Sequence, residues 1–158
     1  MKRSTSTKRT NDRDLVVTRT FDAPARLVFQ AWTTPELMKR WWVPKSIGLT
    51  MTACEMDVRT GGSYRFTFVF TNDPSKPMSF FGRYLEVTPP SRLVWTNEES
   101  SDGAVTTVTF EEKDGQTLLT MVDRYPSKEA LDAALESGST GAFEETFGQL
   151  DELLVTLG

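Results

Sequence analysis

The sequence predicts an α+β fold in which a curved antiparallel sheet wraps around one long C-terminal helix. Short β-branched and aromatic segments follow one another between residues 49 and 124, separated by tight turns, which favours an antiparallel meander. The last segment instead repeats apolar side chains at helical spacing, namely Phe143, Phe147, Leu150, Leu154 and Leu157. Because a sheet of this size needs a cover on one face, the apolar side of this helix is expected to pack against it.

The length and composition are those of one folded globular domain. The chain has 158 residues, 38% of them hydrophobic and 25% charged, so its core needs no disulfide or metal. A net charge of −4 argues against a general nucleic-acid binder. The sequence has no apolar run of membrane-spanning length and no signal-peptide core, and its one thiol has no partner. We therefore expect no membrane span and a cytoplasmic location.

The residue types that are missing exclude several kinds of chemistry. The chain has no histidine, which excludes a Ser-His-Asp triad, a Cys-His pair and a two-histidine iron site. Its single cysteine, Cys54, excludes an intramolecular disulfide and a cysteine-rich zinc site. The sequence therefore predicts no metal, no cofactor and no catalytic residue, and any chemistry must use carboxylates, Lys, Arg, Tyr or a reactive ligand.

Residues 1–13 are predicted to form a disordered basic tail, and residues 14–158 a single domain. After Met1 the tail holds only polar and charged side chains, so it has nothing to bury. A contact with nucleic acid or an acidic partner is one interpretation of this tail, and a solvated terminus is the simpler one. The domain then begins with a β-branched strand at 15–21 and an amphipathic helix over 25–32.

Local signals place the remaining elements. Thr33 and Glu36 have the spacing of a capping box and predict a second helix, which Pro44 limits. One proline-containing turn at 72–77 and the Asp114-Gly115 hairpin signal separate predicted strands. These strands lie at residues 49–59, 64–70, 80–87, 93–97, 105–112 and 116–122. A helix over 128–136 and a glycine-containing break at 138–141 precede the last helix.

Several segments resemble one known family in their order and spacing. The most diagnostic is the run Asp-Val-Arg-Thr-Gly-Gly-Ser-Tyr-Arg-Phe at 57–66, preceded by Arg-Trp-Trp-Val-Pro at 40–44. The others are residues 21–24 with 28–33, 82–87, 90–96 and 115–120. Together they resemble the activator-of-heat-shock-ATPase-like branch of the SRPBCC (START-like) superfamily over residues 15–157. The resemblance implies a helix-grip fold like that of START and birch-pollen-allergen proteins, a hydrophobic cavity between sheet and helix, and a link to the stress response.

Aromatic side chains on neighbouring strands are the candidate lining of that cavity. Tyr64, Phe66 and Phe68 alternate along one strand and so share one face. Of the adjacent Trp41 and Trp42, we expect Trp42 to lie nearer the cavity mouth. Plain core packing is the alternative for any single residue. The full set of predicted ligand-binding residues is Trp42, Met56, Tyr64, Phe66, Phe68, Tyr84, Trp95, Met121, Phe143 and Phe147.

Charged residues on the strands offer weaker candidates. Asp57 and Arg59 share a strand face and are expected to form a structural pair before the following turn. Arg83 and Glu86 lie on opposite faces, so one of them points inward, and an inward Glu86 would have the raised pKa of a general acid or base. An outward, solvated Glu86 is the simpler interpretation. Asp123, next to Arg124, is expected to belong to a charged cluster at the sheet edge.

Three functions from different classes remain open at this stage. The first is binding of a small to medium hydrophobic molecule or lipid in the cavity, and we favour it. The second is a cavity enzyme acting on a hydrophobic substrate, which the absence of histidine makes less attractive. The third is a protein-interaction domain like a co-chaperone. No nucleic-acid partner is expected, and a homodimer is left open.

Overall fold

The computed structural model describes residues 5–98, 103–136 and 143–157, which form an α+β helix-grip fold. Eight strands make one curved, open antiparallel sheet in the order β1-β2-β8-β7-β6-β5-β4-β3. The strands are β1 Ser6–Arg9, β2 Asp14–Phe21, β3 Leu49–Met56, β4 Ser63–Phe70, β5 Asp73–Thr88, β6 Arg92–Thr96, β7 Val105–Lys113 and β8 Gln116–Arg124. The helices are α1 Ala25–Thr33, α2 Pro35–Trp41, α3 Lys128–Glu136 and α4 Phe143–Leu157, with a short 3-10 helix at Lys45–Ile47.

The C-terminal helix α4 packs on the concave face of the sheet, as predicted. Phe147, Leu150 and Leu154 of its apolar stripe are buried, while Phe143 and Leu157 at its two ends are partly buried. The Phe147 ring meets Phe21 of β2 edge to face at 5.8 Å. Burial alternates strictly along β2, so every second residue of this strand faces the helix.

The turns agree with the sequence in one place and differ in another. Asp114 and Gly115 both have positive φ, of 55° and 79°, and make the two-residue hairpin turn predicted between β7 and β8. The prolines expected to break the chain at 72–77 instead lie within β5, whose register with β4 is irregular between Phe68 and Phe70. Proline is tolerated there because an irregular stretch makes no regular ladder hydrogen bonds.

The start of α2 also differs from the prediction. Thr34, not Thr33, is the N-cap of α2, and it makes no side-chain capping hydrogen bond. The Thr33 hydroxyl instead donates to the Phe29 carbonyl at the end of α1. A proline at the first position of α2 fixes the helical φ without a capping box.

The basic tail contains a strand where the sequence predicts disorder. Ser6–Arg9 pairs antiparallel with β2, from Ser6 opposite Thr18 to Arg9 opposite Leu15. All four side chains of β1 are exposed, so its order depends on backbone pairing with the free edge of β2 and not on apolar burial. A hydrophobicity pattern does not report pairing of this kind. Within the described residues, no helix is both long and apolar enough to cross a bilayer.

Candidate ligand cavity

A cavity of about 440 Å³ lies between the concave face of the sheet and the first turns of α4. Most of the sequence-predicted residues line it, and these are Trp42, Tyr64, Phe66, Phe68, Trp95, Met121, Phe143 and Phe147. Tyr84 instead lines a separate void of about 20 Å³ beside Trp32 and Met38, and burial raises the pKa of its phenol. Met56 lines neither space and packs on the core at the end of β3.

One side of the cavity, here called the aromatic wall, consists of Trp42, Tyr64, Phe66, Phe68 and Trp95. Alternation along β4 turns Tyr64, Phe66 and Phe68 to the same face, and all three are buried. The Trp42 ring lies 6.1 Å from Phe66, while Trp41 is fully buried with its indole NH donating to the Ala31 carbonyl. Of these two adjacent tryptophans, Trp42 is the one that lines the cavity.

The cavity opens beside the segment that joins α2 to β3. Ile47 and Phe80, 47% and 42% exposed, are large apolar side chains that both line the cavity and meet solvent. Exposed apolar side chains of this size at the rim of a cavity provide an entrance suited to a hydrophobic ligand.

Two polar side chains of α4 hold this segment in place. The buried amide of Gln149 donates to the carbonyls of Trp41 and Val43 at 2.9 and 2.8 Å, and its oxygen accepts from the Lys45 NH at 2.9 Å. Glu145 accepts from the Ser46 NH at 3.0 Å, and hydrogen bonds from Ser46 lower the pKa of this carboxyl. The sequence placed Glu145 on a solvated face and gave no signal for Gln149.

Next to the aromatic wall the cavity carries a polar cluster, here called the polar end, formed by Asn97, Thr106, Asp123 and Tyr125. The two parts of the lining meet where Trp95 lies opposite Thr106 in the sheet register and the Tyr64 hydroxyl donates to Asn97 Oδ1 at 3.3 Å. Thr106 of β7 lies directly opposite Asp123 of β8 in the sheet register. The Thr106 hydroxyl donates to Asp123 Oδ1 at 2.6 Å, and Asn97 Nδ2 donates to Thr106 Oγ1 at 3.0 Å and to the Ala104 carbonyl at 2.6 Å. A chain of three side chains therefore fixes the carboxylate in the wall.

Burial controls the electrostatics of the polar end. Asp123 is only 9% exposed, and desolvation raises its pKa to about 6 against the opposing effect of the Thr106 hydrogen bond. Burial, followed by the charge of Asp123, raises the pKa of Tyr125 to about 12. No Lys or Arg is found among the described lining residues, and none of the described residues forms an ion pair with Asp123.

The placement of Asp123 corrects the expectation of a charged edge cluster. Arg124 is exposed, with its guanidinium 3.7 Å from the carboxylate of Asp14, whereas Asp123 points to the other face and into the cavity. The signal was present in the sequence, because Asp123 has the same strand parity as Met121, which was assigned to the cavity. A neighbouring arginine in sequence is no guide to direction in a strand.

The other charged candidates lie outside the cavity. Glu86 is solvated and pairs with Arg92 at 3.2 Å, and Arg83 pairs with Glu98 at 3.0 Å on the surface. Asp57 and Arg59 form the expected exposed pair at 2.9 Å beside the turn into β4. Of the carboxylates considered from the sequence, Asp123 is the one that reaches the cavity.

The fold and cavity agree with one family. A family model described as "Activator of Hsp90 ATPase homolog 1-like protein" matches residues 22–155. The chain belongs to this family. The match confirms the resemblance found in the sequence segments. The comparison with curated proteins found no match.

Members of the same fold are known from several bacteria. A crystal structure of a Rhodobacter sphaeroides protein is similar with a TM-score of 0.86 and 26% identity, covering 98% of this chain and 99% of that one. A Nitrosomonas europaea protein has a TM-score of 0.83 and 25% identity, covering 94% and 97%. The AHSA1-like protein of Aeromonas hydrophila, at 19% identity, shares the fold with a TM-score of 0.70 over 87% of this chain and 92% of that one.

Proposed function

We propose that this protein binds a small to medium hydrophobic ligand in the cavity between its sheet and α4. The observation that carries the proposal is a cavity of about 440 Å³ with an aromatic wall on one side and an apolar rim at Ile47 and Phe80. Ligand sites in proteins are typically concave and apolar with a few placed polar groups, in the range of roughly 300–1,000 Å³. A fully packed core would not leave this volume beside five large aromatic side chains.

Tryptophan fluorescence gives a direct test. Trp42 and Trp95 both line the cavity, so a ligand that enters it changes their surroundings. Titration with an environment-sensitive apolar dye is expected to change the emission saturably, with a Kd below about 100 µM, equivalent to roughly −5.5 kcal/mol. Native mass spectrometry of the purified protein then identifies any ligand that co-purifies.

Matched variants on one helix separate cavity binding from surface binding. Phe143→Ala removes a partly buried ring that lines the cavity, while Val155→Ala alters an 81% exposed position on the same helix. The first variant is expected to change dye affinity more than stability, and the second to change neither. Absence of any saturable binding below 100 µM would contradict the proposal and favour a protein-interaction role.

A cavity enzyme is the second candidate, and Asp123 is the observation that favours it. A buried carboxyl group with a pKa of about 6 is suited to general acid or base catalysis near neutral pH. Recovery of the co-purified ligand unchanged after prolonged incubation supports binding alone. Its conversion by the wild type, and not by Asp123→Asn, supports catalysis.

A further inference from the structure

Asp123 places a buried carboxylate in the cavity wall, and the binding of a purely hydrophobic ligand gives this group no role. The other polar side chains among the described lining residues are amides, hydroxyls and phenols, which carry no charge. The Thr106 hydroxyl donates to one carboxylate oxygen, and its own oxygen accepts a hydrogen bond from Asn97. The charge is therefore fixed in position but not compensated by a cation of the described chain.

An uncompensated buried carboxylate selects between ligands by their charge. Taking a carboxylate out of water is costly, and a cation within contact distance recovers much of that cost. Ligand carboxylates, such as those of fatty acids, meet repulsion in the same place. A neutral alcohol recovers one hydrogen bond but no charge.

We propose that the cavity prefers hydrophobic ligands that carry a protonated amine, with Asp123 as the anionic partner of that amine. The aromatic wall holds the apolar body of such a ligand, and the Trp and Phe rings around it also favour a nearby cation. The polar end fixes the ligand's orientation, because the cavity offers its amine one anionic site. This inference rests on the proposed function and names its ligand class.

The test compares three ligands that share one ring system. These are 1-naphthylmethylamine, 1-naphthalenemethanol and 1-naphthoate, titrated calorimetrically into the wild-type protein at pH 8, where Asp123 is ionised. We expect the amine to bind about tenfold more tightly than the alcohol, since only the amine adds a charge–charge attraction to its hydrogen bond with the ionised carboxylate, and the carboxylate ligand to bind weakest.

A pair of variants assigns the preference to Asp123. Asp123→Asn keeps the side-chain shape and is expected to reduce the affinity ratio of amine to alcohol to about one, because it removes the negative charge that distinguishes the two ligands. Glu111→Gln removes an exposed carboxylate from β7 and is expected to keep the wild-type ratio. Thermal melting of both variants checks that they fold.

The outcomes separate this inference from the proposed function. Alcohol binding that equals or exceeds amine binding in the wild type overturns the amine preference and leaves hydrophobic binding intact. A preference that survives Asp123→Asn overturns the role of Asp123. If none of the three naphthalenes binds, the proposed function and the ligand class both fail. The wild-type comparison alone decides the first and last of these outcomes, so it does not depend on how the variants fold.

Discussion

The aromatic wall and the polar end are neighbouring parts of one cavity lining but differ in what stabilises them. Each ring of the aromatic wall packs against another ring, such as Trp42 against Phe66 and Tyr64 against Phe66. At the polar end, a carboxylate is buried without a cationic partner among the described residues. Substitutions on the aromatic side should therefore cost stability, whereas loss of the buried charge should favour folding at neutral pH.

The largest effect is expected on the buried face of α4, which packs against the sheet. Phe147 and Leu150 are fully buried on α4. Phe147→Ala and Leu150→Ala are each expected to lower the free energy of unfolding by about 2–5 kcal/mol, because they remove apolar contacts and leave a void. Urea midpoints measure the effect, and Val155→Ala on the same helix is the exposed control. Unchanged midpoints for both would mean that α4 does not grip the sheet.

The polar end is expected to respond in the opposite direction. The pKa of Asp123 is raised from 3.8 to about 6 in the folded protein, so its stabilising contribution is present below about pH 4 and is lost as pH rises through 6. Relative to wild type, Asp123→Asn should therefore gain about 2–3 kcal/mol of unfolding free energy between pH 4 and pH 8. Urea unfolding at both pH values measures this gain. A pH-independent difference between the two proteins would contradict it.

Gln149 is a second buried polar side chain, and unlike Asp123 it carries no charge. Its loss should therefore destabilise the fold, whereas the loss of the Asp123 charge should stabilise it. Gln149 binds two carbonyls and one NH of the segment between α2 and β3. Gln149→Leu should cost about 1–3 kcal/mol, since it leaves buried backbone groups without partners. Glu152→Leu on the exposed face of α4 is the control. If the two variants unfold alike, Gln149 does not hold that segment.

The smallest effect is expected at the exposed first strand. Removal of residues 1–13 takes away β1 together with the half-exposed Arg9–Asp132 ion pair at 2.6 Å. Exposed pairs and edge strands contribute little, so the loss should stay below about 1 kcal/mol, or a few degrees in Tm. Differential scanning calorimetry of the shortened chain measures the change. A larger drop would make β1 part of the folding core.

The aromatic wall was predictable from the sequence because strand parity and apolar character point the same way at Tyr64, Phe66 and Phe68. Asp123 has the same parity as Met121, but its charge and its neighbour Arg124 pointed to the surface, so the buried carboxylate was missed. Tyr84 was assigned to the main cavity because parity gives the face and not the position along it. The pairing of β1 and the contacts of Gln149 depend on backbone groups far away in sequence, which no local pattern reports.

The all-polar strand β1 also has a consequence for behaviour in solution. It occupies the edge of β2, whose run Leu-Val-Val at 15–17 would otherwise offer free backbone groups to another chain. Lys8 and Arg9 place positive charge on the strand that becomes the new edge. We therefore expect β1 to hinder edge-to-edge aggregation of the sheet. A chain that lacks it should melt almost normally and yet self-associate on concentration.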